Sequence, residues 1–249
     1  MTWSKDANVD LKSRYRTALT NSAKTPDTSD ELFAGPDLIS LTNAYINSGF
    51  KVAFIGKEQS DWAYSYQDFI TKPAFNDLDH AIIEYEKFDF AKAYYKSPYW
   101  QFFDAINALA HGKEAPRQTL LWTNLIKFVY RQYVKDNSAE KRTKSIVHVA
   151  GSEPFLELSK ALFHAEMTAS KPEACIFTTG PHLDVVLQRY YPGVVFVPLD
   201  LPVRAMARLE HPDLPKHSYR VYHPNYLSRD RKGRWDRVLA ILAREMAHK

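Results

Sequence analysis

Lys51-Val52-Ala53-Phe54-Ile55-Gly56 is a short apolar run that ends in glycine. A run without polar alternation has the pattern of a strand buried on both faces, as in a parallel sheet. The preceding stretch, Pro36 to Ser48, puts Leu38, Leu41, Thr42, Tyr45 and Ile46 on one face and stops at Gly49, so it reads as a helix. Working outward, Thr119 to Asn124, Ala174 to Thr178, Val194 to Val197 and Tyr219 to Tyr222 repeat the strand pattern. Helical stretches separate or flank them: Leu11 to Leu19, Asp77 to Phe90, Pro98 to Ala110, a helix capped by Ser152 and reaching about Ala169, His182 to Tyr191, and Trp235 to Met246. Ile146 to Ala150 reads either as a short strand or as the run into the next helix, and Lys135 to Lys144 as a charged connection. Strands alternating with helices predict an α/β fold with a mostly parallel sheet covered on both faces.

Composition narrows the classes. The chain has 249 residues, the upper range of a single domain, and a 45% hydrophobic share supplies a substantial core. Residues 1–30 form a polar N-terminal extension to that domain. No apolar run approaches the length of a membrane span, and the N-terminus lacks the apolar stretch of a signal peptide, so a cytoplasmic protein is expected. Cys175 is the only cysteine, which excludes an intramolecular disulfide and a cluster held by several thiolates. It lies inside an apolar strand and reads as an inert core thiol.

Charge is unevenly spread. Residues 201–249 hold eleven Lys and Arg against five Asp and Glu, whereas the first 200 hold twenty-two against twenty-four. The surplus surrounds Tyr219 to Arg234, a strand stopped by His223-Pro224 and followed by a basic loop. That asymmetry suits a phosphate-bearing partner, and also a merely solubilising tail.

In parallel α/β sheets ligands bind beyond the carboxyl ends of the strands. The rule selects Gly56–Trp62, Asn124–Lys127, Thr178–His182 and His223–Ser228. Neither glycine-rich nucleotide loop fits Gly56-Lys57-Glu58, no serine sits in a Gly-x-Ser-x-Gly elbow, and no pair of histidines has the close spacing of a zinc helix motif. No metal or other cofactor is expected. What remains is an acid, Glu58 with Asp61 nearby, an amide, Asn124, and a histidine, His223. A carboxylate can steady a developing cation or orient water, an amide can read a base edge, and a histidine can stabilise negative charge on a leaving group.

In this order the stretches resemble the uracil-DNA glycosylase superfamily. Val52 to Gln59 is similar to its first motif, a strand ending in Gly-x-Asp-Pro-Tyr or Gly-Glu-x-Pro-Gly. Trp122-Thr123-Asn124-Leu125-Ile126-Lys127 resembles its strand ending in Thr-Asn, followed by apolar residues and Lys. Phe177-Thr178-Thr179-Gly180 matches an apolar strand running into Gly and a helix, and His223-Pro224-Asn225-Tyr226-Leu227-Ser228 resembles its His-Pro-Ser motif. The departures are that no proline follows Glu58, that the Gly or Tyr after it is missing, that Asn225 replaces serine, and that the cysteines of the iron–sulfur branches are absent.

The resemblance implies a three-layer α/β/α fold around a four-stranded or slightly larger, mostly parallel sheet. It implies hydrolysis of the N-glycosidic bond to uracil or a modified base flipped out of DNA. Glu58, His223 and Asp61 would be catalytic, and Asn124 would read the base. Trp62, Tyr64, Tyr66 or Phe69 would stack on it. Tyr226 or Leu227 would wedge into the duplex, with Asn225, Ser228, Arg229, Arg231, Lys232 and Arg234 along the DNA. The expected partner is DNA, single-stranded or damaged DNA included, and the expected state a monomer with no membrane partner. Two alternatives are a non-catalytic nucleic-acid or nucleotide-binding protein on the same fold, and a small-molecule hydrolase on the same scaffold.

Overall fold

Every residue of the run Val52–Gly56 is buried, and the strand it forms is an inner strand of the main sheet, hydrogen-bonded on both sides. The computed structural model describes residues 2–21, 32–59, 64–71, 78–90, 96–133, 141–230 and 233–247. In chain order these give α1 (Lys5–Asn21), β1 (Phe33–Ala34), α2 (Asn43–Ile46), β2 (Val52–Gly56), α3 (Tyr66–Thr71), α4 (Leu78–Phe88) and α5 (Pro98–His111). They continue with β3 (Leu121–Asn124), β4 (Val129–Tyr133), β5 (Lys141–Ser145), α6 (Glu153–Ser170), β6 (Ala174–Phe177) and α7 (Asp184–Tyr190). The last are β7 (Val195–Pro198), β8 (Met206–Glu210), β9 (His217–Val221), α8 (Pro224–Leu227) and α9 (Arg234–Met246).

The main sheet has six strands in the order β3-β2-β6-β9-β8-β7. The first four are mutually parallel, whereas β8 and β7 continue the sheet antiparallel. Side chains alternate along each strand, and the alternation sorts the two helical layers. Phe54 and Trp122 face α5, where Phe54 meets Tyr99, Phe102 and Phe103 and Trp122 meets Trp100. Their neighbours point the other way: Thr123 reaches Glu166 of α6, and Phe177 meets Phe163. α1 packs on the outside of α6, and Trp235 of α9 packs edge-on against Phe102 of α5. The result is an α/β fold with a mostly parallel central sheet flanked by helices.

Several expectations need correction. Pro36 to Ser48 is helical only over Asn43–Ile46, with Thr42 as its N-cap. The segment before it is buried and forms no regular element, because distant groups satisfy its backbone. Asp37 N–H donates to the Lys127 carbonyl (2.9 Å), Ile39 N–H to the Tyr15 hydroxyl (3.0 Å) and Leu41 N–H to Asn8 Oδ1 (2.7 Å). A local periodicity cannot register such partners. Ile146–His148 forms a tight turn, not a strand. Ser152 precedes α6, but its hydroxyl donates back to the carbonyls of Ile146 and Val149 instead of capping the helix. The strand at Val195–Pro198 lies at the sheet edge with Val195 exposed, and β8, whose Arg208 and Glu210 broke the apolar signal, pairs it to β9. A separate antiparallel sheet, β1-β4-β5, was not foreseen. Among the described residues no helix is long and apolar enough to cross a membrane.

Candidate functional site

Parallel strands present their carboxyl ends at one edge, and the register levels those ends. Gly56 lies opposite Asn124, Ile55 opposite Phe177, and Phe177 opposite Arg220. Lys57-Glu58-Gln59, Asn124, Thr178 and His223 therefore leave the sheet side by side. A cavity of about 350 Å³ opens there, with Glu58, Asn124 and His223 all on its wall. Lys57, Gln59 and Asn225 complete its polar lining, and Phe88, Tyr99, Trp100 and Trp122 form an aromatic side.

The aromatic side is braced from within. The Trp122 indole N–H donates to the Tyr99 hydroxyl (3.0 Å), and the Tyr99 ring stacks on the His223 imidazole with centroids 5.4 Å apart. His223 is the N-cap of α8, where its Nδ1 accepts the Asn225 N–H (3.3 Å). That acceptor role places the proton of a neutral ring on Nε2. Burial, helped by Lys57 and His182, lowers the imidazole pKa to about 4, so the ring is neutral at neutral pH.

Glu58 is largely buried. One carboxylate oxygen pairs with Lys57 Nζ (3.0 Å), and the other, Oε2, has no hydrogen-bond partner among the described residues. Both polar atoms of the Gln59 amide are in the same condition. Glu58 and Gln59 line the cavity, but these three atoms are themselves buried, and Gln59 Nε2 packs toward Gly35, so they are interior groups and not part of the open wall.

Asn124 is fixed from two sides. Its Nδ2 donates to Asp37 Oδ2 (2.8 Å), and its Oδ1 lies across Gly56 beside the Tyr99 hydroxyl. A methyl group at position 56 would stand 2.2 Å from that Oδ1 and 2.6 Å from the hydroxyl. Gly56→Ala is therefore expected to cost roughly 1–3 kcal/mol and to displace the amide. Urea unfolding of the variant measures the cost, and unchanged stability would show that the amide is free to move aside.

Behind the site lies a buried polar cluster. Lys127 Nζ donates to Glu166 Oε2 and Thr123 Oγ1, both at 2.6 Å. Tyr15 donates to the other Glu166 oxygen (2.8 Å). Burial raises the Asp37 and Glu166 carboxyl pKa values, and the Lys127 charge opposes both shifts. Lys127, noted in the sequence as part of a strand-end motif, is thus fully buried against Glu166 and is absent from the cavity wall.

The remaining sequence candidates divide. Asp61, Trp62, Arg231 and Lys232 lie outside the described residues. Tyr64 and Phe69 stack on each other in the core, and the Tyr64 hydroxyl donates to the Pro36 carbonyl, so neither offers a face to the cavity. Tyr66 is buried too, edge-on to Phe128. Leu227 is buried with 1% of its surface exposed and cannot act as a wedge, whereas its neighbour Tyr226 is 52% exposed. Ser228 and Arg229 are exposed, and Arg234 pairs with Asp230 (3.1 Å). Sequence reasoning missed Asp37, Gln59 and the aromatic side. The cluster Tyr99-Trp100 was visible as aromatic richness, but only the neighbouring strand ends show which rings face the cavity.

Among the described residues no group of His, Cys, Asp and Glu is placed to hold a metal ion. No protein-family model matches the chain, and no curated protein matches it.

Proposed function

We propose that this protein hydrolyses the N-glycosidic bond of uracil or a modified base in DNA, in the manner of the uracil-DNA glycosylases that its strand-end motifs resemble. The observation that carries the reading is the convergence of Glu58, Asn124 and His223 on one cavity at the carboxyl ends of parallel strands. The cavity's volume and its aromatic side suit a flat ring, and its polar side suits the ring's edge. In the proposed reaction the bond from C1′ to the base nitrogen breaks and its electron pair leaves with the base. Glu58 steadies the cationic sugar and directs a water to C1′, where a C1′–O bond forms; the water's proton passes to Glu58 and then to the base anion, which is released neutral. Neutral His223 donates from Nε2 to a carbonyl oxygen of the departing base, where negative charge collects. Asn124 holds the ring edge. Tyr226 and Arg229, exposed beside the mouth, contact the flanking strand.

A binding-only role is the second reading, favoured by the ion pair that occupies one Glu58 oxygen. One set of assays separates the two. Incubation with uracil-containing and modified-uracil oligonucleotides is expected to release free base, and Asn124→Ala or His223→Ala to slow release at least tenfold while leaving the fold intact. Salt-dependent DNA binding without release would refute the enzyme and support the binding protein. Such binding should survive Glu58→Gln and fail when Arg229, Arg231, Lys232 and Arg234 are neutralised together. An absence of both release and DNA binding at low salt would sink both readings.

A further inference from the structure

We infer that Asp37 is a positioning residue that holds the Asn124 amide with its oxygen toward the cavity, so that the site selects a ring bearing an imide N–H over one bearing a ring-nitrogen lone pair. This rests on the reading of the cavity as a base pocket. A primary amide has a donor end and an acceptor end of nearly the same shape, and an unconstrained one can turn over to suit either ligand. Asn124 is constrained. An ionised carboxylate only accepts hydrogen bonds, so the bond of Nδ2 to Asp37 Oδ2 directs the amide nitrogen away from Gly56. Oδ1 is left facing Gly56 and the hydroxyl of Tyr99, a cavity residue, and no protein donor is bonded to it among the described residues. The acceptor that Asn124 offers a ligand therefore matches the N3–H of uracil and opposes the N3 lone pair of cytosine.

Asp37 is itself held in place. It is fully buried, its N–H donates to the Lys127 carbonyl (2.9 Å), and a Cβ on the preceding Gly35 would stand 2.5 Å from that same carbonyl. The chain at residues 35–37 is thus packed against the Lys127 carbonyl with little room to shift. Burial raises the Asp37 carboxyl pKa above its ordinary value, and the Lys127 ammonium and the Asn124 amide oppose that rise. Asp37 Oδ1 has no hydrogen-bond partner among the described residues, so the clearest polar duty of Asp37 is to the Asn124 amide. Nothing local distinguishes Asp37 in the sequence; its partner is 87 residues away.

The test compares Asp37→Asn, which keeps the shape and frees the amide to turn, with the wild-type full chain. Free uracil and free cytosine are titrated into each and their affinities measured. The wild type is expected to favour uracil, and the variant to narrow the uracil-to-cytosine ratio by roughly tenfold or more. A wild type that favours uracil beside a variant with an unchanged ratio overturns the positioning role alone. A wild type that binds neither base overturns the base-pocket reading and this inference with it, and a preference for cytosine overturns the orientation assigned to Asn124. A measurement on the wild type serves even if Asp37→Asn does not fold. The Nδ2 hydrogens of Asn124, observed by NMR after selective asparagine labelling, should be protected from solvent exchange and stay bonded when uracil is added. Exchange as fast as that of a free amide overturns the inference.

Discussion

Replacing Lys127 with methionine is expected to lower the unfolding free energy by about 3–5 kcal/mol. Methionine fills much of the volume of the lysine stem, so the loss would not be chiefly one of packing. The cause is electrostatic: Lys127 and Glu166 have no exposed side-chain surface, and their contact of 2.6 Å is the ion pair that compensates both. Removing the ammonium strands the Glu166 carboxylate in the core, with only the hydroxyls of Tyr15 and Thr123 to stabilise it. A second substitution, Glu166→Gln, removes the stranded charge and keeps an acceptor oxygen for one hydroxyl, while the other hydroxyl can accept from the amide N–H, so the double variant should recover a large part of the loss. Urea unfolding of the single and double variants measures both effects. A Lys127→Met protein within about 1 kcal/mol of wild type would show that Glu166 is held neutral and that the cluster is an ordinary hydrogen-bond network.

The same cluster shows where reading the sequence succeeds and where it stops. Val52–Gly56 and Ala174–Phe177 were legible because burial on both faces demands an unbroken apolar run, a signal confined to each segment. Asn124 and His223 were legible because each ends or follows such a run, and parallel strands deliver their ends to one edge. Lys127 lies in the same stretch as Asn124, and nothing local says that its charge turns inward to Glu166, 39 residues away. Asp37 was read as part of a helix because Leu38, Leu41 and Tyr45 have helical spacing. The backbone of this segment instead takes partners from afar: Asp37 bonds Lys127, just past β3, and Ile39 and Leu41 bond Tyr15 and Asn8 of α1. Tyr64, Phe69 and Tyr99 are chemically interchangeable as stacking faces. Only packing puts the first two in the core and Tyr99 against His223. Patterns with a short period reveal elements, and pairings across the sheet reveal the site.

Acidification is expected to destabilise the protein through His223. Its pKa is lowered from 6.5 to about 4 in the folded chain, chiefly by burial, so the unfolded state binds more protons between those values. The stability contributed by keeping the ring neutral is present above about pH 6.5 and lost as pH falls toward 4. Between about pH 7 and about pH 4 the loss from this one group is roughly 3 kcal/mol, taking 1.36 kcal/mol per pKa unit. His182 and His164, also lowered by burial, act in the same direction. The buried carboxyls of Asp37 and Glu166 act in the opposite direction, because their raised pKa values mean the folded state takes up protons first. A comparison with His223→Asn isolates the histidine, since asparagine retains an N-cap acceptor for the Asn225 N–H and does not titrate. Urea unfolding across this range should show the variant losing about 3 kcal/mol less than wild type. Parallel losses in the two proteins would mean that His223 is protonated without strain. Its Nδ1 would then be released from α8, and the neutral Nε2–H donor proposed for the leaving base would have no structural basis.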